Sequence, residues 1–225
     1  MHLARQVTHS NVCRIYDVFR HRVPGADGSE HEVVFLAMEL LHGETVADKL
    51  QREGRLQTSE ILPIARQMAA GLAAAHKVGV VHRDFKTQNV MLVKPGSSEE
   101  EMRVVVTDFG LARRSAHDES TGFSLSFSDA GEISGTPAYM APEQVAGDAV
   151  TPATDVYAFG VVLYELVTGV WPFVADTPMR MAIKRMQEPP TPPRVHVPDV
   201  DPRWEAKILR CLARQPARRS SCVGV

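Results

Sequence analysis

The stretch His82-Arg83-Asp84-Phe85-Lys86-Thr87-Gln88-Asn89 decides how the rest of the chain is read. It sets a carboxylate at Asp84, a lysine two positions later and an amide five positions after the carboxylate. Two short β-like runs follow, Val90-Met91-Leu92-Val93 and Val104-Val105-Val106, separated by a solvated turn with Pro95, Gly96 and Glu99-Glu100-Glu101. The second run leads into Asp108-Phe109-Gly110, and Ala141-Pro142-Glu143 stands further on. Singly, each triplet has a bland reading, since Asp-Phe-Gly is more often a turn than a metal site and a lone histidine more often a satisfied core residue. In this order, with these runs between them, coincidence is a poor explanation.

Working outward, the N-terminal side reads as β and the remainder as mostly helical. Val12 to Phe19 and Val33 to Met38 read as two strands of a hairpin turned by Pro24-Gly25-Ala26-Asp27-Gly28-Ser29. A lone hairpin is marginal in water, so it calls for more sheet beside it. Leu3, Val7 and Ala4 share a helical spacing with no capping residue before them. Ile61, Ala65, Met68, Leu72 and Ala75 make an apolar stripe on a helix that Thr58 or Ser59 can cap and that ends near Gly79. Ala153 to Thr168 is apolar nearly all round, which predicts a helix buried at the centre of a bundle. A proline-stiffened connector from Pro189 to Pro202 precedes a last helix, Trp204 to Leu212. Arg113 to Ser134 is polar, serine-rich and without periodicity, and a loop of that length is usually functional or disordered.

Composition narrows the function classes. The 225 residues are 44% hydrophobic and 23% charged with a net charge of −2, which is ordinary for a globular protein and leaves no basic stripe for a nucleic acid. Cys13, Cys211 and Cys222 are odd in number and never form a C-x-x-C pair, so they build no disulfide framework or zinc site and fit a reducing cytoplasm. The N-terminus lacks the apolar run of a signal peptide. The longest apolar stretch, Val156 to Phe173, carries Glu165 and Pro172 and reads as core helix, so no membrane segment is expected.

Together the three triplets resemble the catalytic lobe of a eukaryotic-type Ser/Thr protein kinase of the kind found in bacteria. The resemblance implies an α+β, protein-kinase-like fold with a mostly helical C-lobe and an incomplete β-rich N-lobe. It implies ATP and Mg²⁺ as cofactors. Asp84 then receives the substrate hydroxyl's proton, Lys86 neutralises charge on the transferred phosphate, and Asn89 and Asp108 hold the metal. Met38-Glu39-Leu40-Leu41 resembles the hinge, whose backbone holds adenine, with Met38 as gatekeeper and Glu39 and Leu41 as further contacts. His82 is expected to be structural, packed beside Phe109. Lys86 together with Gly135-Thr136-Pro137-Ala138-Tyr139 resembles the Ser/Thr-specific pattern, in which the Thr136 hydroxyl bridges Asp84 and Lys86. Supporting roles fall to Arg83, which pairs with a phosphate on the activation loop, to Asp155, which receives backbone donors from the catalytic loop, and to Glu143, which pairs with Arg219. Gln215 departs from the aspartate usual at its place.

The expected division is residues 1–37 as a remnant of the N-lobe, 38–44 as hinge and 45–225 as C-lobe. The chain contains no G-x-G-x-x-G and no V-A-I-K-like segment. Aligned on the family's first helix, it starts one residue after the usual glutamate, so an N-terminally truncated domain is expected. The ending, Ser220 to Val225, also departs from the pattern. The function expected is ATP-dependent phosphorylation of Ser/Thr in protein substrates, with 113–134 as the candidate autophosphorylation segment. The alternative is an inactive kinase-fold fragment acting as a protein-binding module.

Overall fold

Ile15–Pro24 (β1) and Glu30–Met38 (β2) pair as an antiparallel hairpin, from Ile15 opposite Met38 to Pro24 opposite Glu30. The structure, a computed structural model, describes residues 7–24, 30–94, 102–109 and 137–219. The first strand starts three residues later than the apolar run from Val12 suggests. Val12 instead bridges Val106 in parallel, and the Cys13 N–H donates to the Val106 carbonyl (2.8 Å). Burial accounts for the difference: Val12 and Cys13 enter the core, while Tyr16, Phe19 and Phe35 of the hairpin stay exposed. Among the described residues no further strand pairs with β1 or β2. Leu3, Ala4 and the turn at 25–29 lie outside the described residues.

The second sheet carries the decisive stretch. Gly43–Thr45 (β3) runs antiparallel to Val90–Val93 (β4), which pairs antiparallel with Arg103–Val106 (β5), Val90 opposite Val106. Between β3 and β4 lie Val46–Glu53 (α1) and Thr58–Lys77 (α2). Thr45 and Asp48 cap α1 reciprocally: Thr45 Oγ1 accepts from the Asp48 N–H (3.0 Å), and Asp48 Oδ2 accepts from the Thr45 N–H (3.0 Å). The anticipated stripe of α2 is buried in full. Its cap differs from expectation, because Gln57 precedes the first turn and its N–H is taken by the Glu60 carboxylate (3.3 Å), so neither Thr58 nor Ser59 is needed outside the helix. A Cβ on Gly71 would come within 2.6 Å of the Asn11 carbonyl, so glycine lets the segment before β1 lie against α2.

Four helices complete the larger lobe, Pro142–Ala146 (α3), Pro152–Thr168 (α4), Pro178–Gln187 (α5) and Pro202–Cys211 (α6). Each opens on a proline, whose fixed φ and missing N–H suit the first helical position. The last starts at Pro202 rather than Trp204, because Asp201 Oδ1 accepts from the Arg203 N–H (2.8 Å) and fixes the first turn there. Around α4 nearly every side chain is buried. It packs against α2 and, at Gly160, so closely against α6 that a Cβ there would lie 2.6 Å from Cys211 Cβ. No helix among the described residues is long and apolar enough to cross a membrane. The element set, two small sheets and a helical lobe, is the α+β kinase-like arrangement anticipated above.

Candidate active site

The loop from His82 to Asn89 is held from beneath by α4. Asp155, buried in the first turn of that helix, accepts from the His82 N–H (2.8 Å) and His76 Nε2 (2.7 Å) at Oδ2, and from the Arg83 N–H (2.9 Å) at Oδ1. Gln144 Nε2 donates to the Arg83 carbonyl (2.8 Å), so both sides of Arg83 are fixed by side chains from other elements. That anchoring sustains a left-handed backbone at Arg83 (φ 72°), which a non-glycine residue adopts only at a cost. His82 is fully buried, and its Nε2–H donates to the Thr107 carbonyl (2.8 Å). Burial pushes the imidazole below its ordinary pKa, so the ring is neutral. Its ring lies 4.6 Å from that of Phe109 and 5.6 Å from that of Phe85.

Asp84 and Asn89 emerge from this support. Lys86 Nζ donates to Asp84 Oδ2 (2.7 Å), while 36% of the Asp84 side chain remains exposed, so the carboxylate is paired with a lysine and still reachable from solvent. Asn89 Nδ2 donates to the Asp84 carbonyl (2.9 Å), so the amide oxygen is the end of this buried side chain that could take a cation. Asn89 and Asp108 sit at the same end of the β4 and β5 pair, because the Thr107 N–H donates to the Asn89 carbonyl (2.9 Å). Asp108 itself has a left-handed φ of 62°. One amide oxygen and one carboxylate are hard donors of the kind Mg²⁺ takes with water completing the shell, so this pair fits the ion.

Around these groups lie three further clusters. Glu143 and Arg219 form a forked pair, Nη1 to Oε1 at 2.6 Å and Nη2 to Oε2 at 2.8 Å, with 5% and 0% of their side chains exposed. Thr154 Oγ1 donates to the same Glu143 Oε1 (2.8 Å), and Arg219 also donates to the Ala213, Ala153 and Arg214 carbonyls. Burial pushes the Glu143 carboxyl up, but Arg219 and the other donors outweigh it and hold the pKa below the ordinary value. The Tyr139 hydroxyl donates to Glu165 Oε2 (2.5 Å) and meets Thr87 Oγ1 (2.9 Å), tying the segment after the long polar loop to the catalytic stretch. Burial raises the Glu165 carboxyl. At the end of β2, Met38 is partly exposed, and the Glu39 N–H donates to the Arg14 carbonyl (2.8 Å).

The structure therefore gathers Arg83, Asp84, Lys86, Asn89, Asp108 and Asp155 around one loop, while Glu143 and Arg219 join α3, the start of α4 and the segment after α6. Met38 closes the hairpin, and Glu39 and Leu41 follow it. Thr136, Gly110 and the serines of 113–134 lie outside the described residues. Sequence reasoning missed His76, Gln144 and Thr154, whose partners come from distant segments. Of these only Gln144, next to Glu143, stands beside a recognisable motif.

A sequence model of the protein kinase domain matches residues 1–225. The serine/threonine-protein kinase pkn3 of Myxococcus xanthus is 39% identical over 193 residues, 85% of this chain and 34% of that protein. PknA of Mycobacterium tuberculosis, named a serine/threonine-protein kinase, is 35% identical over 213 residues, 95% of this chain and 45% of its own length. PknB of Mycolicibacterium smegmatis, named likewise, is 32% identical over 216 residues, 96% of this chain and 32% of its own length. The chain thus spans between about a third and a half of the curated relatives it matches. A loop carrying Asp84, Lys86 and Asn89 beside Asp108, on a fold shared with these relatives over most of its length, makes the chain a member of the protein kinase domain family.

Proposed function

We propose that the protein transfers the γ-phosphoryl group of ATP to serine or threonine hydroxyls of protein substrates. The observation that carries this reading is Asp84, salt-bridged to Lys86, partly exposed and tied through its carbonyl to Asn89 beside Asp108. Bound Mg·ATP supplies the phosphoryl group and the divalent charge that offsets its oxygens. Asp84 orients the substrate hydroxyl and receives its proton as the hydroxyl oxygen bonds to phosphorus and ADP leaves. Lys86 stands within reach to balance charge on the transferred group. Asn89 Oδ1 and the Asp108 carboxylate would hold the metal. At 38–44, read as the hinge between residues 1–37 and 45–225, the Glu39 N–H is already engaged. Among the described residues the Glu39 carbonyl has only the weak Cys13 thiol as donor (3.8 Å), and in this reading it and the Leu41 N–H hold adenine, with Met38 beside them.

Thr136 shapes the hydroxyl pocket in this reading, Arg83 receives a phosphate carried within 113–134, and the partners are proteins rather than nucleic acid. The buried free thiols of Cys13 and Cys211 support a reducing cytoplasm as the setting. Transfer of labelled γ-phosphate to a Ser/Thr-rich protein tests the function. Label should appear on serine or threonine with the protein, and Asp84→Asn should abolish it while leaving nucleotide binding intact. Equal transfer by Asp84→Asn would contradict the assignment.

A further inference from the structure

Arg103 opens β5, the strand that leads into Asp108, yet its guanidinium points to two other segments of chain. Nη1 and Nη2 donate to Glu39 Oε1 (2.7 Å) and Oε2 (3.3 Å), and Nε donates to the Ser10 carbonyl (2.7 Å). The segment it touches is itself fastened to β5: the Val106 N–H donates to the Asn11 carbonyl (2.9 Å), and Asn11 Nδ2 reaches the Val104 carbonyl (2.7 Å) and Gln67 Oε1 (2.8 Å). Arg103 is fixed in turn by its register opposite Val93. One planar cation with donors in a rigid fork thus joins the segment at 10–14, Glu39 and the strand of Asp108, a task that a lysine's single ammonium does not reproduce. Both side chains are partly withdrawn from water, at 37% and 22% exposure, so solvent screens the pair only in part.

We propose that Arg103 is a positioning residue for the nucleotide: by clamping Glu39 it sets the spacing between the adenine-holding backbone at 39–41 and the metal-holding pair Asn89 and Asp108. The inference rests on the reading of those two half-sites given above. A ligand that must engage both gains affinity when their separation is preset, whereas a ligand that engages one is indifferent to it. The backbone ties the same stretch through the Glu39 N–H to the Arg14 carbonyl and the pairing of Gly43–Thr45 with β4, and the Arg103 fork adds a side-chain link from Glu39 itself to the strand of Asp108.

Calorimetric titration of the protein with Mg·ATP, adenosine and Mg·tripolyphosphate separates the whole ligand from its halves. The protein is compared with Arg103→Ala, Arg103→Lys and the exchanged pair Glu39→Arg/Arg103→Glu. Arg103→Ala is expected to weaken Mg·ATP about three- to tenfold, in line with a partly buried ion pair, and to leave adenosine and Mg·tripolyphosphate within about twofold. Arg103→Lys should fall between, and the exchanged pair should recover affinity over either single change, which a merely disordered variant cannot do. Unchanged Mg·ATP affinity in Arg103→Ala, or equal losses for the whole ligand and both halves, would overturn the clamp while leaving the nucleotide site standing. Failure of the unaltered protein to bind any of the three ligands would overturn the nucleotide site and the clamp together.

Discussion

At the scale of single residues, strain and its restraint meet at Arg83 and Asp108, the non-glycine residues with left-handed φ among those described. Arg83 holds its conformation because Asp155 takes its N–H and Gln144 takes hold of its carbonyl. Asp155→Ala would strand the buried His82 and Arg83 N–H groups and the His76 ring. Since bonds to a charged acceptor contribute about 1.5–3 kcal/mol each, a loss of at least about 3 kcal/mol is expected in urea unfolding, with a smaller loss for Asp155→Asn. The Glu143 and Arg219 pair makes a second prediction, because removing one partner of a buried pair typically costs about 3–5 kcal/mol. Glu143 has a folded-state pKa below its unfolded value, so its contribution is present above the ordinary glutamate pKa and fades as pH falls through the lowered one. The stability gap between the protein and Glu143→Gln should therefore be largest near neutrality and shrink in acid; a gap that widens in acid would contradict the sign. The triplets make Asp84, Asn89, Asp108 and Glu143 legible as a set, but nothing in the sequence points to His76 as a partner of Asp155, because the two meet only when α2 crosses α4.

At the scale of elements, legibility follows the strength of the periodic signal. The helices α2 and α4 and the strands β4 and β5 are readable because long apolar stripes or valine runs leave one solution. The helices α1 and α5 escaped notice because they are short and mostly exposed, although Thr45-x-x-Asp48 and Thr177-Pro178 were there as start signals. The Val12 reading failed for a different reason: a short apolar run can pair with either neighbour, and burial against β5 won over extension of the hairpin. Two predictions belong here. Gly160→Ala should push α4 from α6 and lower stability by about 1–3 kcal/mol, read as a fall in the urea midpoint. The exposed hairpin of β1 and β2 should exchange its amide hydrogens through local opening, far ahead of α4, whose protection should approach that of global unfolding. Equal protection of the two would show that the hairpin is covered.

At the scale of the molecule, the parts converge on one place. The hairpin ends at Met38 and Glu39, the second sheet delivers Asn89 and Asp108 to one end, and the buried α4 presents Asp155 to the loop between them. Near-neutral charge and ordinary composition carried none of this; three short motifs did, because their chemistry tolerates few substitutes. Whether these residues form a Mg·ATP site is decided by calorimetric titration with ATP in the presence and absence of Mg²⁺. Mg²⁺ is expected to strengthen ATP binding about tenfold or more, and Asp108→Asn to remove this dependence while adenosine binding persists. ATP binding that ignores Mg²⁺, or an Asp108→Asn protein that keeps the full Mg²⁺ dependence, would contradict it.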